Sequence, residues 1–352
     1  QPVDETYRFV SILPMAHTYE NTLGLLLPLM FGAQVYYLDR VPTPKLLVPA
    51  MQKIRPTVVL SVPLIIEKIY KSQVLPKFTS SKLMSKLYQF APARKLFNRL
   101  AGKKLMETFG GELKFFGIGG SKLDGTVEQF LREAKFPYAI GYGLTETAPM
   151  AAGSNPSQTF LQGVGPVMEG VQIKINNPDK SGQGEIWIKG PNVMKGYYKR
   201  PELTAETFTE DGWFKTGDLG SFDKKNRLAI RGRIKTMILG ASGENIYPEE
   251  IESIINNFRF VNESLVVENS GKLVAMVHFN MEELEKQYQK LKDQAGNYKE
   301  KINDYIEEQK QELRDYVNAR VNNFSKLQLV LVQHEPFEKT PTHKIKRFLY
   351  CK

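Results

Sequence analysis

The chain has 352 residues, 41% of them hydrophobic and 24% charged, and carries a formal net charge of +10. These proportions fit a globular protein of two or three domains and exclude a disordered or fibrous chain. The single cysteine, Cys351, excludes a disulfide framework and fits a reducing compartment; the most apolar run, Leu23–Leu38, is broken by Gly24, Pro28, Gly32 and Gln34 and is too short to span a bilayer.

In chain order, Phe9–Pro14 and Val35–Leu38 read as strands, with a mostly apolar helix between them from Glu20 to Phe31. A helix near Lys45–Lys53 precedes the strand Thr57–Val62, and Pro63 opens a helical region. Between Lys68 and Lys104 lie ten basic residues and no Asp or Glu, with Leu83, Leu87, Phe90, Leu96, Phe97 and Leu100 interleaved at helical spacing. Such a span suits an anionic partner or is simply a solvated helical face. A strand at Lys114–Ser121 ends in Gly119-Gly120-Ser121, and a helix follows from Asp124 to Glu133. The next apolar run, Tyr138–Ile140, leads into Gly141-Tyr-Gly-Leu-Thr-Glu-Thr147. Strands alternating with helices predict a largely parallel, covered sheet.

From Gly163 to Arg231 glycines, prolines and short alternating runs dominate: Val171–Ile175, Gly184–Lys189 and Leu228–Ile230 predict antiparallel sheet, a small barrel or sandwich. Beyond Arg233 a glycine-bearing loop (Gly240, Gly243) enters an N-capped helix at Pro248–Ile255. Leu265–Val267, Leu273–Phe279 and Leu329–Val332 read as strands. The charged stretch Glu282–Asn322 reads as two solvated helices around Gly296, a coiled-coil partner face being the alternative.

The loop after Tyr138–Ile140 concentrates the chemistry. Gly141 and Gly143 let the backbone approach a ligand closely. Two hydroxyls, Thr145 and Thr147, flank the carboxylate of Glu146; hydroxyls suit phosphate oxygens and a carboxylate suits Mg²⁺. The residues alone leave a Mg-nucleotide loop and an ordinary strand-to-loop turn both open. Further along, Gly212-Trp-Phe-Lys-Thr-Gly-Asp-Leu-Gly220 places Asp218 in a glycine turn, where a carboxylate can accept ribose hydroxyls or close an Asx-type turn. Arg231-Gly-Arg-Ile-Lys235, Ala241–Ile251 and Thr340-Pro-Thr-His-Lys-Ile-Lys-Arg347 complete the series.

In this order, from Leu13-Pro-Met-Ala-His-Thr-Tyr-Glu20 to Lys344, these segments resemble the adenylate-forming (acyl-activating) superfamily, most closely its long-chain fatty acyl-CoA synthetases. The resemblance implies an α/β multidomain fold: a parallel α/β subdomain over residues 1–160, a small β-barrel subdomain over 161–232, and a mobile α+β C-terminal domain over 233–352 with a helical insertion at 282–322. It implies an AMP-forming acid–thiol ligase. A fatty acid attacks the α-phosphorus of ATP, giving acyl-adenylate and pyrophosphate; the C-terminal domain rotates, and the CoA thiol then takes the acyl group.

The implied roles follow position by position. Lys344, Thr145 and Glu146 would be catalytic, with Glu146 the Mg²⁺ ligand. Gly120, Ser121, Gly141, Tyr142, Gly143, Thr145, Asp218, Arg233 and Lys344 would contact ATP or AMP. Gly243 would line the CoA tunnel, His17 and Tyr19 the acyl pocket, and Lys235 would be the hinge. The implied location is cytoplasmic, with the span 68–104 touching the inner membrane surface as an alternative, and with CoA or an acyl carrier protein as acceptor; no nucleic-acid module is recognisable.

Two departures stand out. His343 precedes the lysine where the family usually has glycine, and the family's Ser/Thr/Gly-rich phosphate loop before the Leu13-Pro motif is absent. With Gln1 inside a stretch that already reads as strand, an upstream part of a longer parent is expected, and this chain alone is expected to be inactive. An aryl-CoA ligase, an acyl-carrier-protein ligase, a luciferase-like oxygenase and a non-catalytic module of the same fold remain as alternatives. An amino-acid-activating domain is disfavoured, because Met15, Ala16 and His17 offer no acid to a substrate ammonium.

Overall fold

A computed structural model describes residues 3–39, 44–79, 81–240, 244–291, 298–340 and 344–351. The chain divides into two units, Gln1–Ile230 and Arg231–Lys352.

The first unit is built on a six-stranded sheet in the order β2-β1-β3-β4-β5-β6: β1 (Arg8–Ser11), β2 (Gln34–Tyr37), β3 (Val58–Ser61), β4 (Phe115–Ile118), β5 (Tyr138–Tyr142) and β6 (Ala152–Gly153). The first five pair in parallel and only β6 runs antiparallel to β5. Alternate residues of β3 serve opposite faces, as the two-residue period of a strand requires. Val59 joins Phe116, Ile66, Tyr70, Phe130 and Leu131 in one apolar cluster, whereas Val58 and Leu60 join Tyr7 and Phe9 in another, with Tyr19 and Leu23 packed against it. Burial of both faces is what a parallel sheet demands.

The helix expected at Glu20–Phe31 is present but wound in two ways: Glu20–Leu26 forms wide π turns before α1 (Leu27–Met30). Pro28 cannot donate to the carbonyl four residues back. At Gly24 a Cβ would lie 2.7 Å from the buried Glu20 carboxyl, so this turn needs glycine. Helices α2 (Pro44–Ile54), α3 (Pro63–Ile69), α4 (Leu75–Thr79), α5 (Lys82–Gln89), α6 (Ala91–Thr108) and α7 (Gly125–Glu133) cover the sheet, with a π-wound stretch at Tyr70–Val74 linking α3 to α4. Asp124 caps α7 through the Thr126 and Val127 amides.

The antiparallel regime is a four-stranded sheet, β10-β9-β8-β7, formed by β7 (Gln172–Asn176), β8 (Gly184–Lys189), β9 (Phe214–Phe222) and β10 (Leu228–Arg233), with α8 (Pro201–Thr207) between β8 and β9. Isolated bridges, Ala152 to Val167 and Gly165 to Leu228, link β6 to β10 through one intervening segment. Asp218 lies in β9, not in the glycine turn read from sequence. Gly217, at φ +69°, sits at an irregularity in the β8–β9 register and supplies the local turning as a bulge.

The second unit begins with the short pair β11 (Ile238–Leu239) and β12 (Asn245–Ile246), then α9 (Pro248–Asn256). Helix α9 carries Pro248 at its start and Glu249 and Glu250 in its first turn, but Tyr247 offers no side-chain cap, contrary to the N-cap expected. Strands β13 (Val261–Asn269) and β14 (Lys272–Phe279) pair antiparallel, and β15 (Leu329–Val332) joins β14 in parallel.

The charged helices α10 (Met281–Leu291) and α11 (Tyr298–Asn318) are amphipathic rather than solvated all round. Leu284, Tyr288, Tyr305, Leu313 and Val317 are buried with β13–β15 in the core of their own unit, so the sparse apolar repeat is satisfied within the unit and offers no coiled-coil seam. Gly296 lies outside the described residues. No helix among the described residues is long and apolar enough to cross a membrane.

Candidate functional site

The carboxyl ends of neighbouring parallel strands β4 and β5 place two glycine-bearing turns side by side, where ligands of open α/β sheets bind. After β4, Gly119 is buried, and Gly120 (φ +88°) and Ser121 are exposed. After β5, the Gly143–Pro149 loop folds tightly on itself. A Cβ at Gly143 would lie 1.7 Å from the Pro149 carbonyl oxygen, so no other residue fits. The two hydroxyls that flank Glu146 part company here. Thr147 is fully buried: its Oγ1 accepts from the Leu144 amide at 2.8 Å and donates to Pro149 O at 2.9 Å, which locks the loop. Thr145 is exposed at the start of the single turn that carries Glu146.

Glu146 is half-buried, and Tyr197 donates to its Oε1 at 2.9 Å. Burial and the neighbouring carboxylate push the Tyr197 phenol up to about 12. Met194 donates its amide to the Glu146 carbonyl at 2.8 Å, and Asn192 Nδ2 donates to the carbonyls of Thr147 and Met150. The segment 192–197 thus splints the loop from behind. Sequence reading missed it: the contacts span 42 to 51 residues, and only the Gly196-Tyr-Tyr198 cluster hints at an ordered turn.

Tyr142 donates its hydroxyl to Asp218 Oδ2 at 2.8 Å, joining two sequence-predicted site residues 76 positions apart. Asp218 is 4% exposed. Thr216 Oγ1 accepts from its amide at 3.0 Å, and Glu185 Oε1 accepts from the Gly217 amide at 3.1 Å, so the β9 bulge holds the carboxylate in one orientation.

Other predicted positions have more local roles. His17 Nδ1 accepts from the Tyr19 amide at 3.2 Å, capping the helical turn that follows. The ring of Tyr19 lies on β4, its hydroxyl 2.8 Å from where a Cβ of Gly117 would be; burial raises its pKa. Glu20 is 1% exposed, its Oε2 has no partner among the described residues, and burial raises its pKa.

In the second unit, Arg233 ends β10 and Lys235 is exposed in the turn closed by the Met237 amide on Arg233 O at 2.9 Å. Gly243 and His343 lie outside the described residues. Lys344 is exposed and pairs back on Thr340: Thr340 N donates to Lys344 O at 2.8 Å, Lys344 N to Thr340 Oγ1 at 3.2 Å, and Lys339 forms an antiparallel bridge with Ile345. Arg347 donates to both oxygens of Glu252 at 2.5 Å and anchors this segment to α9. Burial pushes the Glu252 carboxyl up to about 7, opposed by Arg347 and by the Val266 amide.

A cradle of glycine turns, a fixed carboxylate in β9 and one half-free carboxylate on a splinted loop can hold a nucleotide through its hydroxyls and phosphates. The donor set fits Mg²⁺: Glu146 presents one half-buried carboxylate, of which Tyr197 engages Oε1, and that ion needs few protein oxygens when phosphates share it. No cluster of three or more metal-ligating side chains exists among the described residues.

The AMP-binding enzyme family model matches residues 1–198. The chain belongs to that family. Curated relatives include a palmitoyl-CoA ligase of Gibberella moniliformis, 30% identical over 75% of this chain and 43% of that protein, and a long-chain-fatty-acid–CoA ligase of Drosophila melanogaster, 32% identical over 70% of this chain and 39% of that protein. The chain therefore spans less than half the length of these two relatives. Among solved structures, the o-succinylbenzoate CoA synthetase of Bacillus subtilis in complex with its acyl-adenylate intermediate superposes with a TM-score of 0.73 at 22% identity, over 99% of this chain and 61% of that one. This last likeness concerns the fold.

Proposed function

We propose that the protein carrying this chain activates a long-chain fatty acid with ATP, releasing pyrophosphate, and transfers the acyl group from the adenylate to CoA with release of AMP. The observation that supports this most is the Tyr142–Asp218 hydrogen bond, which joins the loop proposed for adenine to the carboxylate proposed for ribose. The activities for which the two related ligases are named point the same way.

In this reading Gly120, Ser121, Gly141, Tyr142 and Gly143 shape the adenine and phosphate cradle, and Asp218 accepts the ribose hydroxyls, with Arg233 as a second ribose contact. Thr145 donates to the α-phosphate, and Glu146 would hold Mg²⁺, which when bound would offset the phosphate charge. Lys344 places its ammonium where charge develops between the attacking carboxylate and the α-phosphate. Lys235 is the pivot, Gly243 lines the CoA passage, and His17 and Tyr19 border the acyl chain. The sequence-level domains 1–160, 161–232 and 233–352 carry these tasks in turn, and an acyl carrier protein is the alternative acceptor to CoA.

The test is acyl-CoA formation by the complete protein from palmitate, ATP and CoA, with AMP and pyrophosphate measured in equal amounts. ADP in place of AMP, or no dependence on a fatty acid, rejects the reading.

A second reading concerns location. We infer that the span 68–104 can rest on an anionic membrane surface, because Leu83, Leu87, Phe90, Leu96 and Leu100 are exposed among its basic residues. Sedimentation with phosphatidylserine vesicles that is lost in salt supports this. Absence of binding at low salt rejects it.

A further inference from the structure

The helices of the first unit frame a groove that none of the nucleotide or acyl residues above lines. It holds about 250 Å³ between α3–α4 and α6. Val74, Phe78, Phe97 and Leu100 line it, with the ammonium-bearing Lys77 and Lys104 among its walls. We propose that this groove binds one single-chain anionic amphiphile: its alkyl chain between α4 and α6, and its carboxylate or phosphate against Lys77 and Lys104.

Three observations carry the assignment. The apolar wall is fixed, because Phe78 stacks on Phe97 at 5.7 Å and on Tyr88 at 4.7 Å between centroids. Behind that wall, Tyr88 donates to Asn98 Oδ1 at 2.8 Å and Asn98 donates to Glu133 at 2.8 Å, tying α5 and α6 to α7. The α6 wall of the groove is therefore anchored through α5 and α7, and Phe78 stacks α4 onto it.

Its charge is one-sided. Lys77 and Lys104 line it and no acidic side chain among the described residues does, so an anion entering the groove meets a positive wall. A cationic or zwitterionic tail gains nothing there.

Its apolar surface also continues outward. Leu100 lines the groove and is yet 57% exposed, and Leu96, one turn away on α6, is 58% exposed. An alkyl chain lying along these leucines would remove from water a surface that the fold leaves open. The volume decides the size of the occupant: pockets for drug-sized ligands run from about 300 Å³ upward. A groove of about 250 Å³ takes one chain and not the paired chains of a bilayer lipid.

The experiment titrates the chain with monomeric dodecanoate, below its micellar range, by calorimetry at physiological salt. Dodecyltrimethylammonium of the same length serves as the charge control. Ala101→Phe fills the groove from α6, Lys104→Glu reverses one wall cation, and the exposed Leu100→Gln leaves the core intact should Ala101→Phe fail to fold.

We expect saturable one-to-one binding of dodecanoate. Ala101→Phe and Leu100→Gln should weaken it about tenfold through lost apolar contact. Lys104→Glu should weaken it while leaving the fold and AMP binding unchanged, and the cationic amphiphile should not bind saturably. Absence of saturable binding overturns the proposal. So does binding that none of the three variants alters, which would place dodecanoate in another pocket. Association with phosphatidylserine vesicles without monomer binding also overturns it and leaves a surface contact in its place.

Discussion

Tyr142 at the end of β5 and Asp218 in the bulge of β9 share a hydrogen bond of 2.8 Å between the phenol and Oδ2. The bond crosses from the parallel sheet to the antiparallel one, and it closes over a carboxylate that is 4% exposed. Tyr142→Phe deletes the donor and leaves the ring in place. A hydrogen bond to a charged group contributes about 1.5–3 kcal/mol. We predict a loss of stability of that order by denaturant unfolding, together with weaker AMP binding. A variant as stable as the parent would show that Asp218 is satisfied without the phenol.

The loop that carries Glu146 depends on Gly143. An added methyl would sit 1.7 Å from Pro149 O, so the loop cannot accept it without backbone movement. Overpacking of this kind costs about 1–3 kcal/mol. We predict that Gly143→Ala abolishes measurable AMP binding while the chain still folds, as judged by circular dichroism. An alanine variant that binds AMP normally would contradict the account of this loop.

A buried acid sets a pH dependence. Glu20 is 1% exposed, and burial raises its pKa above the ordinary value near 4.3, so the folded chain holds a proton that the unfolded chain has released. Its contribution is fully present below that ordinary value and is lost as pH rises through the raised one. Glu20→Gln keeps the shape and removes the titration. As pH rises above the ordinary carboxyl range, the melting temperature of the variant should fall less than the parent's, with the variant the more stable of the two at the upper end. Parallel curves would mean that Glu20 ionises in the fold at no cost.

Arg347 holds the C-terminal segment through both oxygens of Glu252. Removing one partner of a buried pair costs about 3–5 kcal/mol, because the other is left uncompensated. Arg347→Ala should therefore destabilise the second unit by that order and loosen the segment that presents Lys344, visible as faster amide exchange at Lys344–Tyr350. Unchanged exchange would show that the remaining contacts, among them the Phe337–Tyr350 ring pair and the Lys339–Glu263 ion pair, hold this segment without Arg347.

The sequence exposed most of the framework because both periodicities were clean. The run Thr57–Val62 contains β3, Gly184–Lys189 coincides with β8, and Leu329–Val332 with β15. Tertiary contact decided the rest. Asp218 reads as a turn residue because glycines flank it, yet β8 pairs with the segment and converts the glycine into a bulge. The charged helices α10 and α11 look solvated because few apolar residues recur, yet Leu284, Leu313 and Val317 are buried with the sheet of their own unit. Glu146 and Asp218 were legible as carboxylates beside glycines. Their partners Tyr197 and Tyr142 were not legible as partners, since hydrogen bonds between positions 51 and 76 residues apart leave no local trace.

The account places a nucleotide between the Gly120–Ser121 turn, Tyr142 and Asp218, all within residues 1–230. The most direct test is calorimetric titration of the 352-residue chain with AMP, set beside its Asp218→Asn variant, which keeps the side-chain shape and removes the charge. The account predicts one-to-one binding by the parent chain and a loss of about tenfold or more in the variant, the equivalent of one charge-assisted hydrogen bond. Equal affinity in the two proteins, or no AMP binding by a folded parent chain, would contradict it.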